Sequence, residues 1–121
     1  MPRRRKERGD RTKHPDRDQY GLELRLKNQG LVGVDSKVPI RDASALSLLY
    51  TPGVAAPCLE IAKTPIRSYD LTCRGNTVAV ISDGSAVYGI GNAGPESALA
   101  MLEVRSVFFK TFAGVDAIPI A

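Results

Sequence analysis

Residues 77–82, Thr-Val-Ala-Val-Ile-Ser, are β-branched and almost wholly apolar, and they constrain the fold more than any other stretch of the chain. Such a run lacks the polar alternation of a strand with one wet face, so it reads as a strand covered on both sides. The covers must come from what surrounds it. After it, Asp83-Gly84-Ser85 signals a turn, and Ala86 to Ile90 can return as a second strand, which predicts a hairpin. Pro95 then suits the first position of a long helix that runs to about Phe112 and is stopped by Gly114. Asp116 to Ala121 begin another apolar extended segment, and a chain that ends inside a buried strand is expected to be truncated. The fold class expected is α/β, with a small sheet and flanking helices.

Upstream the punctuation is denser. Residues 19–29 suit a short helix, although Leu22, Leu24 and Leu26 alternate as in a strand. Residues 42–49 read as a helix capped by Asp42 or Ser44. Pro52-Gly53 marks a bend, and Pro57 and Pro65 are expected to open and close a further helix.

Charge is concentrated at one end. Eight of the 17 basic side chains and four of the 13 acidic ones fall in residues 1–18, which leaves nine of each for the body of the 121-residue chain. Residues 1–18 carry no Leu, Ile, Val or aromatic side chain, so they are expected to form a disordered basic tail. The tail could serve as a nucleic-acid or membrane arm. The absence of interleaved aromatic residues favours a solvated leader, so neither a specific nucleic acid nor a membrane is expected as partner. No run approaches the roughly 18 apolar residues that span a bilayer. Cys58 and Cys73 are the only cysteines and His14 the only histidine. That composition suits reduced thiols in a cytoplasmic protein and argues against a Cys/His zinc site.

Two features hint at chemistry. Gly89-Ile90-Gly91-Asn92-Ala93-Gly94 matches the G-x-G-x-x-G phosphate-binding turn. The acid expected about 20 residues on would be Asp116, but it precedes an apolar segment where it should follow one. The preceding strand also reads as a hairpin arm. A glycine turn for close packing, or for a substrate carboxylate, accounts for the motif better. The second feature is Arg105. On the helix from Pro95, Ala98, Met101, Leu102, Phe108, Phe109 and Phe112 share one side, and Glu96, Glu103 and Lys110 another. Arg105 projects from the apolar side, where a guanidinium needs a partner: Asp83, Asp116 or a bound anion.

The segment Ser47-Leu48-Leu49-Tyr50-Thr51-Pro52-Gly53-Val54-Ala55 resembles the tyrosine-bearing motif of bacterial-type malic enzymes. The resemblance continues through Pro57-Cys58, Glu60-Ile61-Ala62, Gly75 to Gly84, Gly89 to Asn92, Gly94-Pro95-Glu96, Phe109-Lys110 and Phe112 to Asp116, and it covers about residues 35–121. It implies the family's N-terminal substrate domain over residues 19–121, incomplete at its C-terminal end and stopping before the Rossmann cofactor domain. It also implies an NAD(P)-dependent oxidoreductase that converts malate to pyruvate and carbon dioxide with magnesium or manganese, acting as a homodimer. Tyr50 would be the proton donor. Arg105 stands where the family has the lysine of a Gly-Lys pair, and arginine is a poor base. The metal ligands and cofactor fingerprint would lie downstream, so this chain would hold neither and would be inactive alone. The alternative is a non-catalytic malic-enzyme-like domain or a degenerate gene fragment.

Overall fold

The computed structural model describes residues 15–121, and the basic segment 1–14 lies outside the described residues. The chain divides into two compact units, Met1–Leu31 and Val32–Ala121. In the first, helix α1 spans Pro15–Asn28. Residues 15–18, expected to be part of a disordered tail, are its first turn. Pro15 occupies the opening position, and Asp16 and Asp18 complement the positive end of the helix dipole. The helical alternative for residues 19–29 holds.

In the second unit, α2 (Ala43–Leu49) begins at Asp42, whose side chain accepts a hydrogen bond from Ala45 N at 2.8 Å. Helix α3 covers Ala55–Lys63, so Pro57 falls inside its first turn, two residues later than expected. Proline is tolerated there because those amides have no helical acceptor. Pro65 closes α3 by opening a single 3₁₀ turn, Pro65–Arg67, which leads into the short α4 (Ser68–Leu71) and a second 3₁₀ turn, Cys73–Asn76.

Strand β1 (Thr77–Ile81) follows, then a long loop, α5 (Pro95–Phe108), a π-helical turn (Phe109–Ala113) and β2 (Asp116–Ile120). Gly114 ends the π turn in the left-handed conformation, as a helix stop requires. The predicted hairpin is wrong. Residues 86–90 form no strand and make only an isolated antiparallel bridge, Val87 to Gly91. Strand β1 pairs in parallel with β2, Thr77 opposite Asp116 through Ile81 opposite Ile120, which makes a βαβ unit with α5 as the crossover. Gly89 and Gly91, both at positive φ, turn the chain back before a second strand can extend.

The core lies between α5 and one face of this sheet. Ala98 and Leu102 are each 2 % exposed, Ser106 is buried one turn further on, and Ala117 is buried on β2. Two strands about 5 Å apart cover only a narrow stripe of a helix. Phe108, Phe109 and Phe112, expected in the stripe, are therefore exposed. Ala79, Ile81, Ile118 and Ile120, on the opposite sheet face, are also open.

A polar clasp ties the start of both strands to the π turn. Lys110 Nζ donates to Asp116 Oδ1 at 2.6 Å, while the Asn76 amide donates to Asp116 Oδ2 at 3.2 Å and to Gly114 O at 2.9 Å. Lys110 is thus a paired side chain, not the plain surface charge its helix position suggests. The hydrogen bonds from Lys110 and then Asn76 hold the Asp116 carboxyl below its ordinary pKa. A depressed folded-state pKa contributes stability above the unfolded value of about 4, and that contribution disappears as pH falls through the folded value. Asp116→Asn is therefore expected to lower the thermal midpoint at pH 7 and to flatten its dependence on pH below about 4. Melting curves of both proteins from pH 7 to 2.5 check this, and parallel acid limbs would refute it.

Candidate functional site

Tyr50 closes α2. Its amide donates to Leu46 O at 2.8 Å and its carbonyl accepts from Val54 N at 2.6 Å, so the backbone bends sharply between α2 and α3. The Thr51–Pro52 peptide is cis. Gly53 makes the bend possible, since a Cβ there would meet Leu48 O at 2.0 Å. The phenol emerges from this bend and is 67 % exposed.

Arg105 lies on α5 and is exposed; the buried guanidinium expected from the helix pattern is not found. Neither expected carboxylate pairs with it. Asp116 is taken by Lys110 and Asn76, and Asp83 accepts from Ser85 N at 2.9 Å, which holds its carboxyl below its ordinary pKa. Arg105 makes no salt bridge among the described residues. It borders a small hollow of about 40 Å³ between α5 and the loop that follows β1, with Ser82 and Tyr88 on the same rim. A larger, open hollow of about 400 Å³ lies at the start of α5 and the end of β2. Its charged lining residue is Glu96, which disfavours a dicarboxylate. Tyr50 borders neither hollow. Sequence reasoning named Tyr50 and Arg105; Ser82 and Tyr88 line the hollow beside Arg105 as well.

The glycine loop can be tested against a nucleotide. The strand before it is a parallel strand, not the hairpin arm expected, so the topology alone would permit a phosphate turn. The amides do not. Ile90 N and Gly91 N both donate to Val87 O, and Ala93 N and Gly94 N both donate to Gly84 O. With those donors engaged, four of the groups that would cradle a pyrophosphate are taken. Gly84 and Gly94 are in contact: a Cβ on Gly84 would meet Gly94 O at 1.9 Å. Of the motif's glycines only Gly94 takes part in this close approach; nothing lies within 4 Å of where a Cβ on Gly89 or Gly91 would be. Among the described residues, no group of three or more His, Cys, Asp or Glu side chains is placed to hold a metal ion. No described helix is long and apolar enough to cross a membrane.

Residues 32–121 match the family model for the malic enzyme N-terminal domain. A bifunctional malic/malolactic enzyme of Bacillus subtilis is 54% identical over 100 residues, which are 83% of this chain and 24% of that protein. An NADP-dependent malic enzyme of Escherichia coli is 49% identical over 87 residues, 72% of this chain and 12% of its own length. The crystal structure of an NAD-dependent malic enzyme from Thermotoga maritima superposes with a TM-score of 0.78 at 47% identity, covering 83% of this chain and 28% of that one. The chain thus spans between 12% and 28% of the length of these relatives. The match runs through the Tyr50 bend, the βαβ unit and the glycine loop between its elements, and on that evidence the chain belongs to the malic enzyme family, with residues 32–121 as its N-terminal domain.

Proposed function

We propose that this domain is the malate-facing part of an enzyme that oxidatively decarboxylates malate to pyruvate and carbon dioxide with NAD or NADP and a divalent metal. The observation that supports this most directly is the intact Tyr50-Thr51-Pro52-Gly53 bend in a chain of this family. On this reading Tyr50 gives its phenolic proton to the enol carbon left after decarboxylation. A neighbouring cation eases that transfer by stabilising the phenolate. Arg105 binds a substrate carboxylate, a task its planar fork suits. On this reading the metal and the nicotinamide are held by residues other than those described, so the roles assigned to this chain stop at its own side chains. Assembly as a homodimer in the cytoplasm belongs to the same proposal.

A second reading is a non-catalytic domain of the same family. Two observations favour it: arginine stands where the family resemblance places a titratable lysine, and neither of the two hollows described among residues 15–121 is bordered by both Tyr50 and Arg105. A chimera separates the two. Residues 32–121 would replace the matching segment of the Bacillus subtilis enzyme, and malate-dependent formation of NADH or NADPH would be followed at 340 nm. The enzymatic reading expects turnover, with Tyr50→Phe lowering kcat on the order of 10²-fold, as for loss of a general acid. A folded chimera without turnover would establish the non-catalytic reading.

A further inference from the structure

The end of α5 and the π turn that follows it are held by polar contacts, not by packing. Ser106 is the last buried residue of α5, and residues 108–114 are all exposed. The buried stripe of Ala98, Leu102 and Ser106 therefore stops one residue past Arg105. A π turn is a rare element, and an exposed one gains nothing from burial. Hydrogen bonds close this one: Gly114 N donates to Lys110 O at 3.0 Å, and Val115 N to Phe109 O at 3.2 Å. The clasp then pins it from outside. Lys110 Nζ reaches Asp116 Oδ1 at 2.6 Å, and the Asn76 side-chain amide reaches Gly114 O at 2.9 Å. Asn76 directly precedes β1 and Asp116 opens β2, so both anchors are tied to the sheet.

Arg105 stands at the changeover. Phe109 N is shared between Arg105 O and Ser106 O, so the α-helical ladder gives way to the π turn at the carbonyl of Arg105 itself. The Arg105 side chain is exposed and makes no salt bridge among the described residues, so its backbone is what places it. If the π turn unwinds, or recloses with α-helical bonds, the sharing at Phe109 N is lost and the dihedral angles of residues 105–108 change with it. We propose that Lys110 and Asn76 are positioning residues for Arg105. Through Asp116 and Gly114 they fix the π turn, and the π turn fixes the direction in which the guanidinium leaves the helix. This rests on the carboxylate-binding role given to Arg105 above, and it gives the clasp a part in substrate affinity as well as in stability.

Two measurements test it, both made well below the unfolding midpoint of every variant. The first uses the whole 121-residue chain and NMR relaxation. Lys110→Met keeps the length of the side chain and removes the cation. The amide order parameters of Val107, Phe108 and Phe109 are expected to fall from about 0.85 toward 0.6, while those of Ala98 and Leu102 stay as they are. Lys110→Arg, which keeps the charge, should hold the parent's values. The second measurement is the KM for malate in the chimera. Lys110→Met should raise it about fivefold and change kcat by less than about twofold, with Asn76→Ser acting in the same direction. Arg105→Gln should raise KM about tenfold. The double variant Lys110→Met, Arg105→Gln should be no worse than Arg105→Gln alone, because a residue that acts through Arg105 then has nothing left to position. Effects that multiply in the double variant would overturn the proposal. So would order unchanged at residues 107–109 in Lys110→Met, or a KM raised by Arg105→Gln but not by Lys110→Met. The role of Arg105 fails separately. A parental KM in Arg105→Gln, or a folded chimera without turnover, retires that role, and the order measurement alone then decides whether the clasp directs this residue.

Discussion

Gly84→Ala is expected to destabilise the βαβ unit by roughly 4 kcal/mol or more, enough to leave a small domain largely unfolded at room temperature. Three costs act together. Gly84 sits at φ +74, in the left-handed region that costs a residue with a Cβ about 1–2 kcal/mol. The new methyl would meet the carbonyl oxygen of Gly94 at 1.9 Å and its carbon at 2.2 Å, and these are backbone atoms that cannot rotate away. Separating the two segments breaks the bonds that Ala93 N and Gly94 N make to Gly84 O at 3.1 and 3.3 Å, each worth about 1 kcal/mol. Gly89→Ala is the matched control. Its φ is +81, but nothing lies within 4 Å of the added Cβ, so only the conformational cost applies, about 1 kcal/mol. Urea unfolding followed by circular dichroism distinguishes the two. Equal losses for both variants would mean that the contact with Gly94 is not what holds the loop.

That pair of glycines also shows how far the sequence could be read. Elements fixed by local chemistry were legible: the Asp42 cap, the β-branched run of β1, Pro95 at the head of α5 and Gly114 at the end of the π turn. What failed was decided by partners distant in the chain. Whether β1 meets a hairpin arm or a strand that begins at Asp116 depends on a pairing between Thr77 and Asp116, and neither residue signals it. The glycine motif looked like a phosphate turn or a packing turn until the acceptors of its amides were known. Arg105 was misplaced for a related reason. A helical wheel shows which residues share a side but not how wide the covering surface is. A two-stranded sheet covers Ala98, Leu102 and Ser106 and leaves their neighbours open. The Tyr50 motif was legible as a pattern; its relation to Arg105 depends on surfaces that the pattern does not encode.

In the chimera, Arg105→Lys is expected to raise kcat for malate oxidation by about 10²-fold, the low end of what a positioned base contributes. A guanidinium, with a pKa above about 12, keeps its proton at neutral pH and can only bind and polarise. An ammonium in a poorly solvated site can fall to a pKa of roughly 7–8 and then accept the proton of the C2 hydroxyl. The gain should therefore depend on pH, with a rising limb in kcat against pH that the arginine chimera lacks. It should also appear mainly in kcat, because either cation can hold a carboxylate, though arginine holds it with two parallel bonds. Arg105→Gln removes both functions and should raise KM as well. In this chain Arg105 is exposed, so the effect requires that the grafted surroundings withdraw the lysine from water. If the arginine chimera already turns over as fast as its parent and Arg105→Lys slows it, proton abstraction falls to water or to Tyr50. The substitution would then mark a change of base, not a loss of one.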